Sequence, residues 1–293
     1  MSYAVAGITG KVGSAVARNL LAQGHRVRAV LRDLRKAQPW IDLGCETAEA
    51  DLTDAEALAR AFAGVDGAFV LVPANFAPSA DFSEARAAAA AIARALRNAE
   101  VPKVVALSSI GSHQPSGLGL ITQTRLLEEA LASFAGALVV LRPAWFFENA
   151  AWDIGPASET GVMSSFLQPL ARRFPMVATA DIGRIAAMLL LDSPPGRRTV
   201  ELEGPHRCSP NDIASGLAAA LGRDVHAELV PRRDWDALFK SQGTADPSAR
   251  IDMLDGLNSG WIDFETPTGT LKGDIGLATV LQELVATHRC AGA

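Results

Sequence analysis

The sequence predicts an α/β fold: a doubly wound parallel sheet with a smaller, mixed C-terminal lobe. Three observations carry that prediction. Short apolar runs alternate with helical patterns through the first half of the 293 residues. Parallel strands joined by helical crossovers read this way, because such a sheet is covered on both faces. The first apolar run leads straight into three glycines, Gly7, Gly10 and Gly13, and a helical pattern with Val12, Val16, Leu20 and Leu21 on one face follows. After Arg142-Pro143 the alternation gives way to aromatics, Gly, Pro and Ser.

Taken in order, the strands are expected over 4–6, 26–31, 46–50, 68–72, 104–107 and 138–141. The helices between them are expected at 34–43, 54–62, 82–99 and 123–134. The alanine-rich stretch 85–95 reads as a tightly packed helix, since Ala has the highest helix propensity. Residues 144–176 read as loops and short helices. A helix at 181–191 ends before Pro194-Pro195, and 199–202 returns to the sheet. Ser209 is the expected N-cap and Pro210 the first turn of a helix through Leu221. Residues 243–248 read as a loop, and 277–287 as a final helix. The expected domains are 1–150 and 151–293, with about 177–203 returning to the first.

Bulk properties exclude several classes of function. The net charge is −5, which gives no support for binding nucleic acid or an anionic membrane. Cys45, Cys208 and Cys290 are odd in number and far apart, so reduced thiols and a cytoplasmic location are expected. Strand pattern begins by Tyr3, leaving no visible signal peptide, and no apolar stretch is long enough for a spanning helix. Metal-ligand spacing is absent; His206 lies near Cys208 but has no third or fourth ligand beside it. No metal is therefore expected, and the oligomeric state is not legible.

The first turn points to a nucleotide cofactor. Gly7-x-Thr9-Gly10-Lys11-Val12-Gly13 sits between a strand and a helix start, where backbone N–H groups can meet a pyrophosphate. It is not a Walker A loop, because Val12 follows Gly10-Lys11. The end of the second strand discriminates between dinucleotides. Leu31 has no acceptor there, while Arg32 offers a forked cation and Lys36 follows one turn on. That favours NADP(H) over NAD(H). The alternatives are a solvated Arg32 and an Asp33 that reaches a ribose. Asp51-Leu52 follows the third strand and either edges the adenine or, through Asp51, caps the helix at 54. Val72-Pro73 and Ser108-Ser109 stand at carboxyl ends of strands, where ligands bind in open α/β sheets. Trp145, Phe146, Phe147 and Trp152 either line a substrate pocket or fill the core of the second lobe.

With these residues in view, the chain resembles the NmrA-like group of atypical short-chain dehydrogenase/reductases. The marks are the glycine turn, Val27-Arg28-Ala29-Val30-Leu31-Arg32, Ala50-Asp51-Leu52, Leu107-Ser108-Ser109-Ile110-Gly111 and Leu141-Arg142-Pro143-x-Trp145-Phe146-x-Glu148-Asn149. Ala178-Thr179-Ala180-Asp181-Ile182-Gly183, Leu202-Glu203-Gly204-Pro205 and Asn258-Ser259-Gly260-Trp261-Ile262-Asp263-Phe264 extend the resemblance over nearly the whole length. It implies a Rossmann domain with NADP(H) in the cleft against the smaller lobe. Among the cofactor-contacting residues it implies are Gly7, Thr9, Gly10, Lys11, Val12, Gly13, Ser108 and Pro143. The group includes both quinone reductases and non-catalytic regulators that sense the dinucleotide.

Ordinary members of the wider superfamily use a Tyr-x-x-x-Lys pair, in which the lysine lowers the phenol's pKa for proton exchange. This chain has one tyrosine, Tyr3, and no lysine follows it by four. Counted from Ser108-Ser109 and Arg142-Pro143, the pair would fall near Leu120 and Thr124. Glu128, one turn on, matches an acidic residue of the family. Two functional classes follow. One is a reductase of a small, quinone-like or otherwise electron-poor molecule, with Ser109, His113, Gln114 or Thr124 orienting its carbonyl. The other is an NADP(H) sensor that binds a regulatory protein partner.

Overall fold

The computed structural model describes residues 1–291 except Ser193. Eight parallel strands form the main sheet: β1 (Ser2–Ala6), β2 (Arg26–Leu31), β3 (Glu46–Glu49), β4 (Gly67–Leu71), β5 (Lys103–Leu107), β6 (Ala137–Pro143), β10 (Arg197–Glu203) and β12 (Leu271–Lys272). Between β6 and β10 lie the short strands β7 (Trp145–Phe146), β8 (Val162–Ser165) and β9 (Met176–Val177); β11 (His226–Leu229) follows β10. The order across the sheet is β12-β10-β6-β5-β4-β1-β2-β3. It reverses between β1 and β4, and the carboxyl ends there form the crevice in which such sheets bind ligands.

The central strands β1, β4, β5 and β6 read as apolar runs because each is covered on both faces, whereas the edge strands β3 and β12 are exposed or half-buried. Val5, Ala29, Phe69, Val105 and Val139 face one core, with α1 (Lys11–Ala22) and, further along the chain, the helix over Thr179–Leu191. Their neighbours Ala4, Val30, Val70, Val104 and Val140 face the opposite core. That side is covered by α3 (Ala55–Phe62), α4 (Ser83–Asn98) and α5 (Thr122–Ala130), while α2 (Gln38–Ile41) is a short turn beside β3. Strand periodicity of two sends alternate residues to opposite faces.

Two expected helices are shorter in the structure. The stretch 34–43 is a 3-10 turn over Leu34–Lys36 followed by α2. Asp33 accepts from the Arg35 backbone N–H and starts the first turn, and Pro39, which has no N–H, sits at the start of the second. The stretch 123–134 ends at Ala130 because the chain must turn into β6, and Gly136 passes so close to the Pro102 carbonyl that a Cβ would lie 2.5 Å from it.

After β6 the chain builds the smaller lobe. A 3-10 stretch over Phe147–Asp153 leads to α6 (Ile154–Thr160), and α7 (Thr179–Leu191) crosses back onto α1. Gly183 makes that crossing close: a Cβ on it would lie 2.3 Å from the Ala15 Cβ. β10 then pairs with β6 in the main sheet. Ser209 caps α8 (Pro210–Leu221) with a reciprocal capping box to Asp212. The lobe is completed by α9 (Trp235–Ser241), α10 (Ser248–Ser259) and α11 (Leu277–Ala291), with a small core that includes Ile154, Met163, Leu217 and Leu281. Among the described residues no helix is long and apolar enough to cross a membrane.

Candidate functional site

The turn between β1 and α1 gives its three glycines three separate tasks. Gly7 has φ +64°, which admits no ordinary side chain without strain. Gly13 lies under the turn, where a Cβ would come within 2.3 Å of the Gly7 carbonyl oxygen. Gly10 has an extended backbone, and its missing Cβ would meet only that oxygen, at 3.3 Å. Gly10 therefore leaves open the space in front of the first turn of α1. No side chain caps this helix start, and Thr9, Gly10 and Lys11 are exposed beside it. Free N–H groups at the positive end of a helix dipole suit a pyrophosphate, and the residues present fit a dinucleotide.

The end of β2 offers a cation. Leu31 is buried, and the exposed Arg32 makes no hydrogen bond or salt bridge among the described residues. Asp33 is engaged elsewhere: it accepts from Arg35 Nε and Nη2, both at 2.8 Å, and these bonds hold its carboxyl below the usual range. Lys36 is exposed close by. Asp51 does not cap the helix that follows, which corrects one of its two readings. It folds onto Thr53 instead, accepting from Oγ1 at 2.7 Å and from N at 2.9 Å, while Asp54 is the N-cap of α3. Leu52 is half-buried against the second core. Val72 is buried just after β4, and Pro73 is exposed beyond it.

At the end of β5 lies a buried polar network. Ser108 Oγ is 2.5 Å from Glu128 Oε1 and 3.0 Å from Ser112 Oγ, and Ser112 Oγ is 2.9 Å from Thr124 Oγ1. Arg142 grips Glu128 with Nε at 2.9 Å and Nη2 at 2.8 Å, and donates from Nη1 to Glu265 at 2.7 Å. The Ser108 hydroxyl is thus turned into the protein, while Ser109 is half-buried beside it. Thr124 also donates to the Ile121 carbonyl at 2.9 Å, and Leu120 is buried. Gln114 Nε2 donates to the Trp261 carbonyl, which ties this loop to the C-terminal segment. Tyr3 is fully buried in β1, and burial raises its phenol pKa.

The aromatics after β6 separate into two groups. Phe147 is 2% exposed, belongs to the main core and lies against Gly204; it is core and not pocket wall. Trp145 and Phe146 are half-buried on β7, and Pro143 is buried just before them. Trp152 is 58% exposed and meets Phe76 edge to face, with centroids 5.6 Å apart. Phe76 lies in the loop after β4, so the pair joins that loop to the smaller lobe. Gln123 on α5 fastens the loop by bonding both the N–H and the carbonyl of Asn75. Sequence reasoning missed Phe76 because no pattern marks that loop. It also missed Asp153, half-buried next to Trp152, whose carboxyl is pushed up to about 7 by burial.

Known proteins place this architecture. Residues 7–155, just over half of the chain, match a family described as NAD(P)H-binding. The NAD(P)H azoreductase of Xenophilus azovorans is 28% identical over 222 residues, covering 75% of this chain and 74% of its own. Quinone oxidoreductase 2 of Escherichia coli is 26% identical over 253 residues, covering 86% and 85%. The structure of the NADPH-dependent Escherichia coli quinone oxidoreductase with NADPH superposes with a TM-score of 0.79 over 97% of this chain and 99% of that one, at 23% identity. A mutant NmrA structure gives 0.76 at 15% identity, over 100% and 98%. The glycine turn, the reversal of strand order beside it and these matches lead to one conclusion: this chain belongs to the NAD(P)H-binding family and has the Rossmann fold of its NmrA-like relatives.

Proposed function

We propose that the protein is an NADPH-dependent reductase of a quinone-like or other electron-poor small molecule. NADPH, when bound, supplies the hydride. Arg32 and Lys36 favour the 2′-phosphate, and Asp33 is already committed to Arg35. The exposed aromatic pair of Trp152 and Phe76 suits a flat aromatic acceptor.

The observation that carries the choice of reaction is Thr124. It stands where the cationic partner of a tyrosine would be expected, and its hydroxyl is bonded to Ser112 and to Ile121. An alcohol or simple ketone needs a protein acid–base pair for the proton that accompanies the hydride. A quinone does not: hydride addition gives a stable hydroquinone anion, which takes its proton from water. The azo and quinone substrates named for the two sequence relatives belong to the same electron-poor class.

The test is the purified protein with NADPH and a panel of quinones, beside NADP⁺ with secondary alcohols. Steady NADPH consumption with quinones supports the reductase. Tight NADPH binding without turnover supports the sensor instead. Rapid oxidation of secondary alcohols would overturn the proposal, because it would reveal an acid–base residue.

A further inference from the structure

We propose that His113, Glu201 and Glu265 form a binding site for a divalent transition-metal ion, zinc first. The three come from distant parts of the chain: the loop after β5, the middle of β10 and the segment after α10. One ligand atom from each lies within 4.8 Å of the others. His113 and Glu265 line a polar cavity of about 300 Å³, together with Glu128, Arg125, Arg142 and Arg197.

Each donor has a lone pair to give. His113 Nδ1 is buried and has no hydrogen-bond partner among the described residues. A buried ring nitrogen without a partner pays the cost of desolvation and gains nothing for it. Glu265 uses Oε2 for Arg142, and its Oε1 has no partner among the described residues. Glu201 is buried, and its Oε1 accepts only the Glu265 N–H, at 2.8 Å. A carboxylate oxygen can take a second partner. Its Oε2 accepts from the N–H and hydroxyl of Thr266, so the carboxylate is fixed before any ion arrives.

The charge balance also admits a cation. Three arginines line the cavity, and each faces another carboxylate: Glu128 meets Arg142 with two bonds and lies 3.8 Å from Arg197, and Arg125 pairs with Glu129 at 2.8 Å. Of Arg142, only Nη1 is left for the two carboxylates at 201 and 265. One imidazole with two carboxylates suits zinc or its neighbours better than magnesium, which prefers six oxygen ligands in octahedral array. Tetrahedral zinc with bonds of about 2.1 Å sets its ligand atoms about 3.4 Å apart, so a modest contraction closes the site, with water in the fourth position. The bound ion would brace the loop after β5 against the segment that holds Ile262, which already packs on Gly111.

This proposal is independent of the reductase reading, and so is its test. Tag-free protein, dialysed against chelator, is titrated calorimetrically with zinc and separately with magnesium. One zinc per chain at micromolar affinity, with a raised melting temperature, is the expected result. His113→Ala and Glu265→Gln should each weaken zinc binding by at least about tenfold. Cys290→Ser, which removes the exposed thiol, should leave it unchanged. Cobalt in place of zinc should show visible bands that His113→Ala abolishes. If His113→Ala does not fold, Glu265→Gln decides, since its side chain is exposed on one side. No zinc binding in the micromolar range, equal binding of magnesium, or zinc affinity unmoved by both variants would overturn the site.

Discussion

At the scale of residues, three glycines that look alike in the sequence differ in what they tolerate. Gly10 alone combines an ordinary φ with no approach under 3.0 Å, since an added Cβ would meet only the Gly7 carbonyl oxygen, at 3.3 Å. Gly10→Val should therefore leave a folded protein, by circular dichroism, that binds neither NADPH nor NADH in a fluorescence titration. Retained binding would remove the pyrophosphate from this turn. Arg32→Ala should weaken NADPH by about 1.5–3 kcal/mol, as expected for a hydrogen bond to a charged group, and leave NADH almost unchanged. Equal losses for both cofactors would count against the 2′-phosphate. Asp153 supplies a pH dependence. Burial pushes its carboxyl up to about 7, above the ordinary aspartate value of about 3.9, so between these values the folded state holds a proton that the unfolded chain has released. Stability from this group is lost as pH rises from about 4 to about 7, at about 1.4 kcal/mol for each pH unit in that window. Asp153→Asn should be more stable than the parent in urea at about pH 8, where the penalty is full, and gain little at about pH 4. A parallel offset at both pH values would show that burial does not shift the group.

At the scale of elements, most of the first half of the fold was legible because its central strands are apolar on both faces and its helices on one. Besides the overlong 123–134, the stretch 34–43 was misread because a run with Leu34, Trp40 and Ile41 looks helical, while Pro39 and the Asp33 turn divide it. The second half was harder to read. Nothing in the sequence marked α9 or α10: α10 has no clear apolar stripe, and buries only Ile251, Leu254, Gly256 and Leu257. The glycine turn and the β2 end could be read because each is built from residues close together in the chain. The Ser108–Glu128–Arg142 network and the His113–Glu201–Glu265 cluster could not, because they join residues far apart in the chain through the sheet. That network also gives the element-scale prediction. Both side chains of the Arg142–Glu128 pair are 7% exposed. Glu128→Ala strips two bonds from a buried guanidinium and should cost about 3–5 kcal/mol, measured by urea unfolding. A loss below about 1 kcal/mol, the range of surface pairs, would mean that Glu265 and water take over.

At the scale of the whole molecule, the proposed cofactor grip and the proposed acceptor rim occupy different material. The grip lies on the β1–α1 turn and the β2 end, packed into the sheet. The rim of Phe76 and Trp152 stands on a loop and on the smaller lobe, outside both main cores. The two ends of the sheet carry a further consequence. An eight-stranded sheet leaves two rows of unpaired backbone groups, each a template on which another chain could add a strand. Here β12 is two residues long and carries Lys272, tied to Glu203 at 2.5 Å. On the other side β3 has only four residues, with Glu46 and Glu49 exposed and Arg28 paired to Glu46. Brevity and charge at both margins guard this sheet against edge-to-edge aggregation, so a crowded solution of the protein should resist forming fibrils even though the central strands β1, β4, β5 and β6 are largely apolar.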